Sequence, residues 1–400
     1  MFLNLKNKNI NLSISLPASK SISNRALIMN ALSKNAGRIE NLSDSDDTRV
    51  LLAAINSTNS VVDIGAAGTA MRFLTAYFAI TDGEKILTGS ERMKQRPIRL
   101  LVDALRILGA DIEYVENENF PPLKIRGKKL SGKEISLDGS VSSQYVSALM
   151  MIAPALINGL KIKLEGKIIS TPYIKMTAKM MNDFGVKVIF ENETIEIPPQ
   201  NYQPADFQVE ADWSAASYWY ELLSIAGQGR IFLKGLYKNS LQGDSEVAHL
   251  FENLGVTTKY IDDGVELLSN GKYTERFQYD FSGQPDLAQT LAVTCCMCGI
   301  PFRFKGVQSL KIKETDRIAA LIAELKKLGF KLHEPAESEL AWNGEKCDAE
   351  KNLSIKTYSD HRMAMAFAPV ALKIPLEIKN PEVVSKSYPK FWEDIGKFTI

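Results

Sequence analysis

Lys313, Glu314, Asp316 and Arg317 put two cations and two acids into five consecutive residues, just ahead of a run in which Leu321, Leu325 and Leu328 recur at helical spacing. That spacing predicts a helix over 317–328, opened by Thr315 or Asp316 and stopped at Gly329. Free N–H groups at a helix start, flanked by cations, can receive an anion, and neighbouring acids can move protons. A capping turn with its charges in water is the alternative, and this stretch alone leaves both open.

Comparable groupings recur. Ser19, Lys20, Ser21, Ser23 and Arg25 open an apolar stretch, where hydroxyls and cations around a helix start can hold a phosphate. Gly65 to Arg72 reads GAAGTAMR, and Gly68 has no side chain to block a ligand from the backbone. Arg92, Lys94 and Arg96 precede Pro97, a favoured first residue of a helix. Ser142, Ser143 and Gln144 open another apolar stretch, and Ser170 follows it. Asp286 opens a fifth, Asp360 and Arg362 a sixth, and Lys386 lies beyond.

These groups fall at equivalent points of a repeat. Small or hydroxyl residues, an apolar helix, a turn and an alternating strand return over 23–42, 68–88, 142–165, 214–234, 286–305 and 360–379, with starts about 72 residues apart from the second copy onward. A second helix type lies between them, over 97–108, 173–184, 245–254 and 317–328. Each copy precedes a glycine (Gly109, Gly185, Gly255, Gly329) and a short strand such as 186–190 or 330–333; 47–56 is a related first copy. The unit is strand, helix, strand, helix, strand. Units longer than usual solenoid repeats favour an α/β (α+β) fold of two similar domains, each of three units with helices inside and sheets outside. Charges concentrated at equivalent helix starts then point to a cleft between domains that receives anions.

Four hundred residues exceed the usual single core. A net charge of +1 gives no general attraction to nucleic acid or to an acidic membrane, so small-molecule substrates are favoured. Cys295, Cys296, Cys298 and Cys347 have no spacing that staples a fold, and the first three lie in an apolar run without a histidine, so buried free thiols are expected rather than metal ligands. The alternating start over 1–16 does not read as a signal peptide, and no run reaches membrane-spanning length. A cytoplasmic protein is expected.

With those segments together, the chain closely resembles the EPSP synthase (3-phosphoshikimate 1-carboxyvinyltransferase) family. The strings LPASKSISNRAL, SDSDDTR, GAAGTAMR, RMKQRPI, DGSVSSQY, STPYI, NSLQGD, QPDLAQT, IKETDR, SDHRMAM and SKSYP fall in the family's order across nearly the whole length. The resemblance implies two three-repeat domains, 18–211 and 1–17 with 212–400, the chain crossing twice; a monomer without nucleic acid or membrane partners is expected. It implies transfer of the enolpyruvyl group of phosphoenolpyruvate to the 5-hydroxyl of 3-phosphoshikimate, with release of phosphate and without a metal or organic cofactor. Carried over by position, Lys20, Ser21, Arg25, Ser142, Ser143, Gln144, Ser170, Asp286 and Lys313 match groups around 3-phosphoshikimate. Lys20, Gly68, Arg96, Gln144, Arg317, Arg362 and Lys386 match phosphoenolpyruvate contacts. Asp286 matches the proton acceptor, Glu314 the neighbouring acid, and Lys20 is a further catalytic candidate. Ala66 and Ser309 stand where the family often has asparagine.

Two rivals share this architecture. The sister enzyme acting on a UDP-linked amino sugar usually carries a cysteine, sometimes an aspartate, in the loop corresponding to 88–96, which has neither here. An RNA-end-processing enzyme should show a basic stripe, which the balanced charge does not suggest.

Overall fold

Five helices among the described residues start where an oxygen-bearing side chain takes up N–H groups that the first turn leaves without a partner. Ser19 accepts from the Ile22 N–H at 3.5 Å, Ser142 from Gln144 at 3.3 Å and Asp212 from Ala215 at 3.1 Å. Asp316 takes both Ile318 at 3.1 Å and Ala319 at 3.0 Å, and Asp360 takes Arg362 at 2.8 Å. The expected helix after the charged knot runs Arg317–Lys327, and Gly329 just beyond it has φ +89°.

The structure is a computed structural model and describes residues 1–5, 10–33, 37–140 and 142–398. Parts of the first expected repeat copy and of the N-terminal alternating stretch lie outside the described residues. The chain divides into two compact units, Ala18–Val209 and Met1–Pro17 with Glu210–Ile400. The change of unit falls slightly before the 211/212 position expected from sequence, for a local reason. The Val209 N–H binds the Glu40 carbonyl at 3.1 Å, whereas the Glu210 carboxylate takes the Leu241 N–H at 2.8 Å and the Gln242 amide at 3.2 Å.

Among the described residues each unit carries three small sheets. In the Ala18–Val209 unit, one sheet joins Val61–Asp63, Gly83–Thr88, Leu123–Gly127 and Asp111–Tyr114 in that order. A second joins Ile189–Glu191, Thr194–Ile197, Leu160–Glu165 and Glu134–Asp138, and a third pairs Phe207–Gln208 with Ile39–Glu40. In the other unit, Asn11–Ser15 lies parallel to Arg230–Lys234, which continues through Gly264–Tyr273 to Leu254–Ile261. Phe2–Leu3 pairs antiparallel with Leu376–Ile378, which also carries Ser354–Ile355, and Phe277–Asp280 pairs with Phe302–Lys305 and Leu340–Trp342.

The helices inside have little polar face. Gly68–Ile80, Ser143–Ile152, Trp213–Ala226 and Ala288–Cys298 are buried along most of their length, so their position comes from packing on all sides rather than from one apolar stripe. Cys295 and Cys296 are free and buried there, and burial pushes both thiols up.

Some sequence expectations shift. Pro97 does not open its helix, which runs Arg99–Ile107; the Pro97 carbonyl instead accepts from the Tyr145 hydroxyl at 2.6 Å and the Arg72 guanidinium at 3.3 Å. The stretch at 245–254 splits into a 3-10 turn, Gly243–Glu246, and a short helix, Val247–Glu252. The strand expected over 330–333 is reduced to isolated bridges at Phe330 and His333.

Candidate functional site

In the Glu210–Ile400 part of its unit, three helix starts bring acids and cations together. The Arg317 guanidinium, 1 % exposed, donates from Nε to Asp360 at 2.7 Å, from Nη1 to Asp286 at 3.0 Å and from Nη2 to Glu314 at 2.9 Å. Burial acts to lower its proton affinity, but Asp360, Glu314 and Asp286 outweigh burial and hold it above the ordinary arginine value. Arg362 reaches Asp286 from the other side, Nη2 to Oδ2 at 2.9 Å and Nη1 to the Asp286 carbonyl at 3.3 Å. Lys313 stands 3.9 Å from Asp286, and Lys386 stands 3.0 Å from Glu314.

Asp286 is therefore a partly buried carboxylate facing three cations. Burial pushes its proton affinity up, yet Arg362, Lys313 and Arg317 together hold it well below the usual carboxylate range. Glu314 divides its oxygens between Arg317 and Lys386. Asp360, fully buried, caps one helix while fixing Arg317, and the two residues before it, Tyr358 and Ser359, hold left-handed backbone at φ 54° and 55°. Strain of that kind persists where the surroundings fix a side chain's aim.

The Ala18–Val209 unit is built differently. Arg25, 2 % exposed, donates from Nε to Thr177 Oγ1 at 2.7 Å, from Nη1 to the Ser21 carbonyl at 2.9 Å and from Nη2 to Ser147 Oγ at 3.1 Å. Its guanidinium also lies 5.4 Å from the Phe73 ring and 5.9 Å from the Tyr173 ring. Burial pushes Arg25 down to about 10, with Tyr173 pulling the other way. A buried cation met by hydroxyls, a carbonyl and rings is poised for an anion.

Contacts link the other candidates of this unit. Arg25 ties the Lys20–Leu32 helix to Ser147 on the Ser143–Ile152 helix, whose Gln144 amide donates to Thr69 at 3.2 Å. Thr69 adjoins Gly68, at the start of a helix with no side-chain cap. Arg96 packs over that start: a Cβ on Gly68 would lie 2.5 Å from Arg96 Nη1, and the buried Arg96 Nε has no hydrogen-bond partner. Ser142 caps its helix, Ser143 is buried in the first turn, and Ser170 stands in left-handed backbone at φ 56° before the Thr171–Asp183 helix. Lys20 is the exception to the pattern, paired with the buried Asp47 at 3.2 Å.

The structure thus gathers Asp286, Lys313, Glu314, Arg317, Arg362 and Lys386 in one cluster, and strings Ser21, Arg25, Gln144, Gly68 and Arg96 along linked helix starts. Sequence reasoning gave no role to Asp360, Asp47, Asp244 or Tyr173. The strings SDHRMAM, SDSDDTR, NSLQGD and STPYI contain all four, so their presence near chemistry-bearing residues was the available signal.

Comparison with known proteins adds a separate line of support. The family model for EPSP synthase (3-phosphoshikimate 1-carboxyvinyltransferase) matches residues 5–58 and 54–395. The 3-phosphoshikimate 1-carboxyvinyltransferase of Bacteroides fragilis (strain YCH46) is 55% identical over 390 residues, covering 97% of this chain and 95% of that one. That of Vibrio atlanticus (strain LGP32) is 40% identical over 418 residues, covering 97% and 96%. A solved EPSP synthase from Acinetobacter baumannii superposes with a TM-score of 0.76 at 20% identity, covering 100% of this chain and 98% of that one, which speaks to the fold.

Proposed function

Because the chain belongs to the EPSP synthase family, we propose that it transfers the enolpyruvyl group of phosphoenolpyruvate to the 5-hydroxyl of 3-phosphoshikimate, giving 5-enolpyruvylshikimate 3-phosphate and phosphate, in the shikimate pathway to chorismate and aromatic amino acids. The observation that carries the reading is the cluster in which Asp286 and Glu314 share Arg317 while Arg362 and Lys386 flank them. A reaction that joins two phosphorylated acids needs cations for their charge and carboxylates for its protons, and both are within one cluster.

The family's pattern assigns the roles, and the contacts support them. Arg25, with Ser21, Ser142, Ser143, Gln144 and Ser170, receives the phosphate side of 3-phosphoshikimate, and Lys313 and Asp286 meet its ring hydroxyls. In the family's pattern, Lys20, Gly68, Gln144 and Arg96, which lies above the uncapped helix start at Gly68, are the phosphoenolpyruvate contacts of one unit, and Arg317, Arg362 and Lys386 are those of the other. In the addition step Asp286 accepts the hydroxyl proton as the new C–O bond forms, and a proton is delivered to the methylene carbon. In the elimination step a methyl proton is lost and the C–O bond to phosphate breaks. The depressed proton affinity of Asp286 makes it a weak base while Arg362, Lys313 and Arg317 face it alone. An arriving carboxylate and phosphate offset those cations, which raises the proton affinity of Asp286 when substrate is present. Glu314 is subject to the same competition for Lys386 and Arg317, and serves as the proton carrier for the methylene carbon.

The reading extends to a monomer that acts in the cytoplasm on water-soluble acids. The described residues contain no helix long and apolar enough to cross a membrane. Phosphate release from phosphoenolpyruvate tests the reading: it should require 3-phosphoshikimate. Release with UDP-N-acetylglucosamine instead, or with neither acceptor, would overturn it.

A further inference from the structure

Asp244 is 3 % exposed in the Gly243–Glu246 turn, and nothing above uses it. Its Oδ2 accepts from the Ser214 hydroxyl, while its Oδ1 is buried with no hydrogen-bond partner. A buried carboxylate with one oxygen unmatched is expensive when ionised, so this geometry favours the neutral acid. The groups that act on it are Asp286 and Arg362 of the cluster, Asp212 and Ser214 at the start of the Trp213–Ala226 helix, and Tyr279, whose hydroxyl feels Asp244 in turn. The Arg362 guanidinium is thus within electrostatic reach of Asp244 while it is bonded to Asp286 at 2.9 Å.

We propose that Asp244 is a positioning acid for Arg362: neutral, it leaves that guanidinium available to an anionic substrate, and on losing its proton it competes for it. The inference rests on the reaction proposed above. Burial, followed by the charge of Asp286, pushes Asp244 up to about 7, against the opposing pull of Arg362 and Ser214. Asp286 is held far in the other direction, so below neutrality the two carboxyls carry one charge between them. As pH rises, a second negative charge appears beside Arg362. The affinity for phosphoenolpyruvate then falls, because part of the cation's field is spent on Asp244 and the new carboxylate repels the ligand.

The test compares the whole protein with Asp244→Asn, which keeps a neutral side chain of the same shape at every pH. The KM for phosphoenolpyruvate at saturating 3-phosphoshikimate is measured from about pH 6 to about pH 8.5, and the ligand's own titration cancels in the comparison. Wild-type KM should climb about fivefold more than that of Asp244→Asn across this range, with no matching difference in kcat. Ser214→Ala, which removes the donor that favours the ionised acid, should move the wild-type limb to higher pH and provides the readout should Asp244→Asn fail to fold. Infrared difference spectra read the acid directly: a protonated-carboxyl band should vanish near neutrality in the wild type and be missing from Asp244→Asn. Superimposable KM profiles, or a neutral-range carboxyl band unaffected by Asp244→Asn, would overturn the proposal. A wild type that shows no turnover would sink the reaction while the infrared titration still decided the state of Asp244.

Discussion

Arg25 in one unit and Arg317 in the other are both buried arginines near helix starts, yet Arg25 meets two hydroxyls, a carbonyl and aromatic rings, whereas Arg317 meets three carboxylates. Arg96 goes further than Arg25, its buried Nε having no hydrogen-bond partner, and Arg362 resembles Arg317 in bonding to Asp286. One unit keeps positive charge in reserve for a ligand; the other balances its charge internally and can move protons. Lys20, paired with Asp47, is the one candidate of the first unit that follows the pattern of the second.

The largest effect expected from this contrast is on stability. Arg317→Met strips a cation from Asp360, Asp286 and Glu314 and should destabilise its unit by about 3–5 kcal/mol in urea unfolding, as loss of one partner from a buried ion network does. Arg25→Met should change the stability of the ligand-free protein little, because the Ser147 and Thr177 hydroxyls that it leaves already lie 2.9 Å apart and can bond each other. Equal losses in the two variants would erase the distinction. The acid limb carries the same sign. Asp286 is depressed when folded, so its contribution is present above the ordinary carboxylate value of about 4 and is lost only as pH falls well below it.

Turnover comes next. Asp286→Asn keeps the shape of the side chain and removes its proton-accepting charge, so kcat should fall about a hundredfold or more while calorimetry still detects 3-phosphoshikimate. Arg25→Met should do the reverse, weakening 3-phosphoshikimate by on the order of 2 kcal/mol while kcat at saturation is largely kept. A variant that loses both quantities equally would show that reception and proton movement are not separated as the structure suggests.

The smallest effect concerns Glu221, fully buried on the Trp213–Ala226 helix with neither carboxyl oxygen hydrogen-bonded and with Cys298 and Cys295 as its titratable neighbours. Burial, reinforced by Cys298, raises its proton affinity far above the ordinary value. The folded state therefore holds this proton more tightly than the unfolded chain, and stability present at acid pH is lost progressively as pH rises. Glu221→Gln should recover on the order of 2 °C in Tm at about pH 9 relative to its effect at about pH 5. An effect independent of pH would show that Glu221 is ionised in the core after all.

Local physics made much of this legible in the sequence. The Arg317–Lys327 helix, its Asp316 cap and the positive φ of Gly329 follow from leucine spacing, an oxygen-bearing residue and a glycine in the right order. The resemblance supplied the candidate residues, but residue type could not supply their partners. Asp360 is 43 positions from Arg317, and Arg362 is 76 from Asp286, so no window along the chain contains either pair. Asp244 illustrates the limit well. Its string NSLQGD was visible, but an acid becomes chemically unusual only when folding removes its water and leaves one oxygen without a donor. Pro97 shows the opposite failure: a good local helix signal yields when its carbonyl is wanted by Tyr145 and Arg72.

The pairing of Asn11–Ser15 with Arg230–Lys234, parallel, and of Phe2–Leu3 with Leu376–Ile378, antiparallel, also sets a schedule for the nascent chain. The strands made first by the ribosome find their partners only after the whole Ala18–Val209 unit has been synthesised, and one of them only when translation is nearly finished. The interposed unit can complete its own three sheets while the early strands wait unpaired.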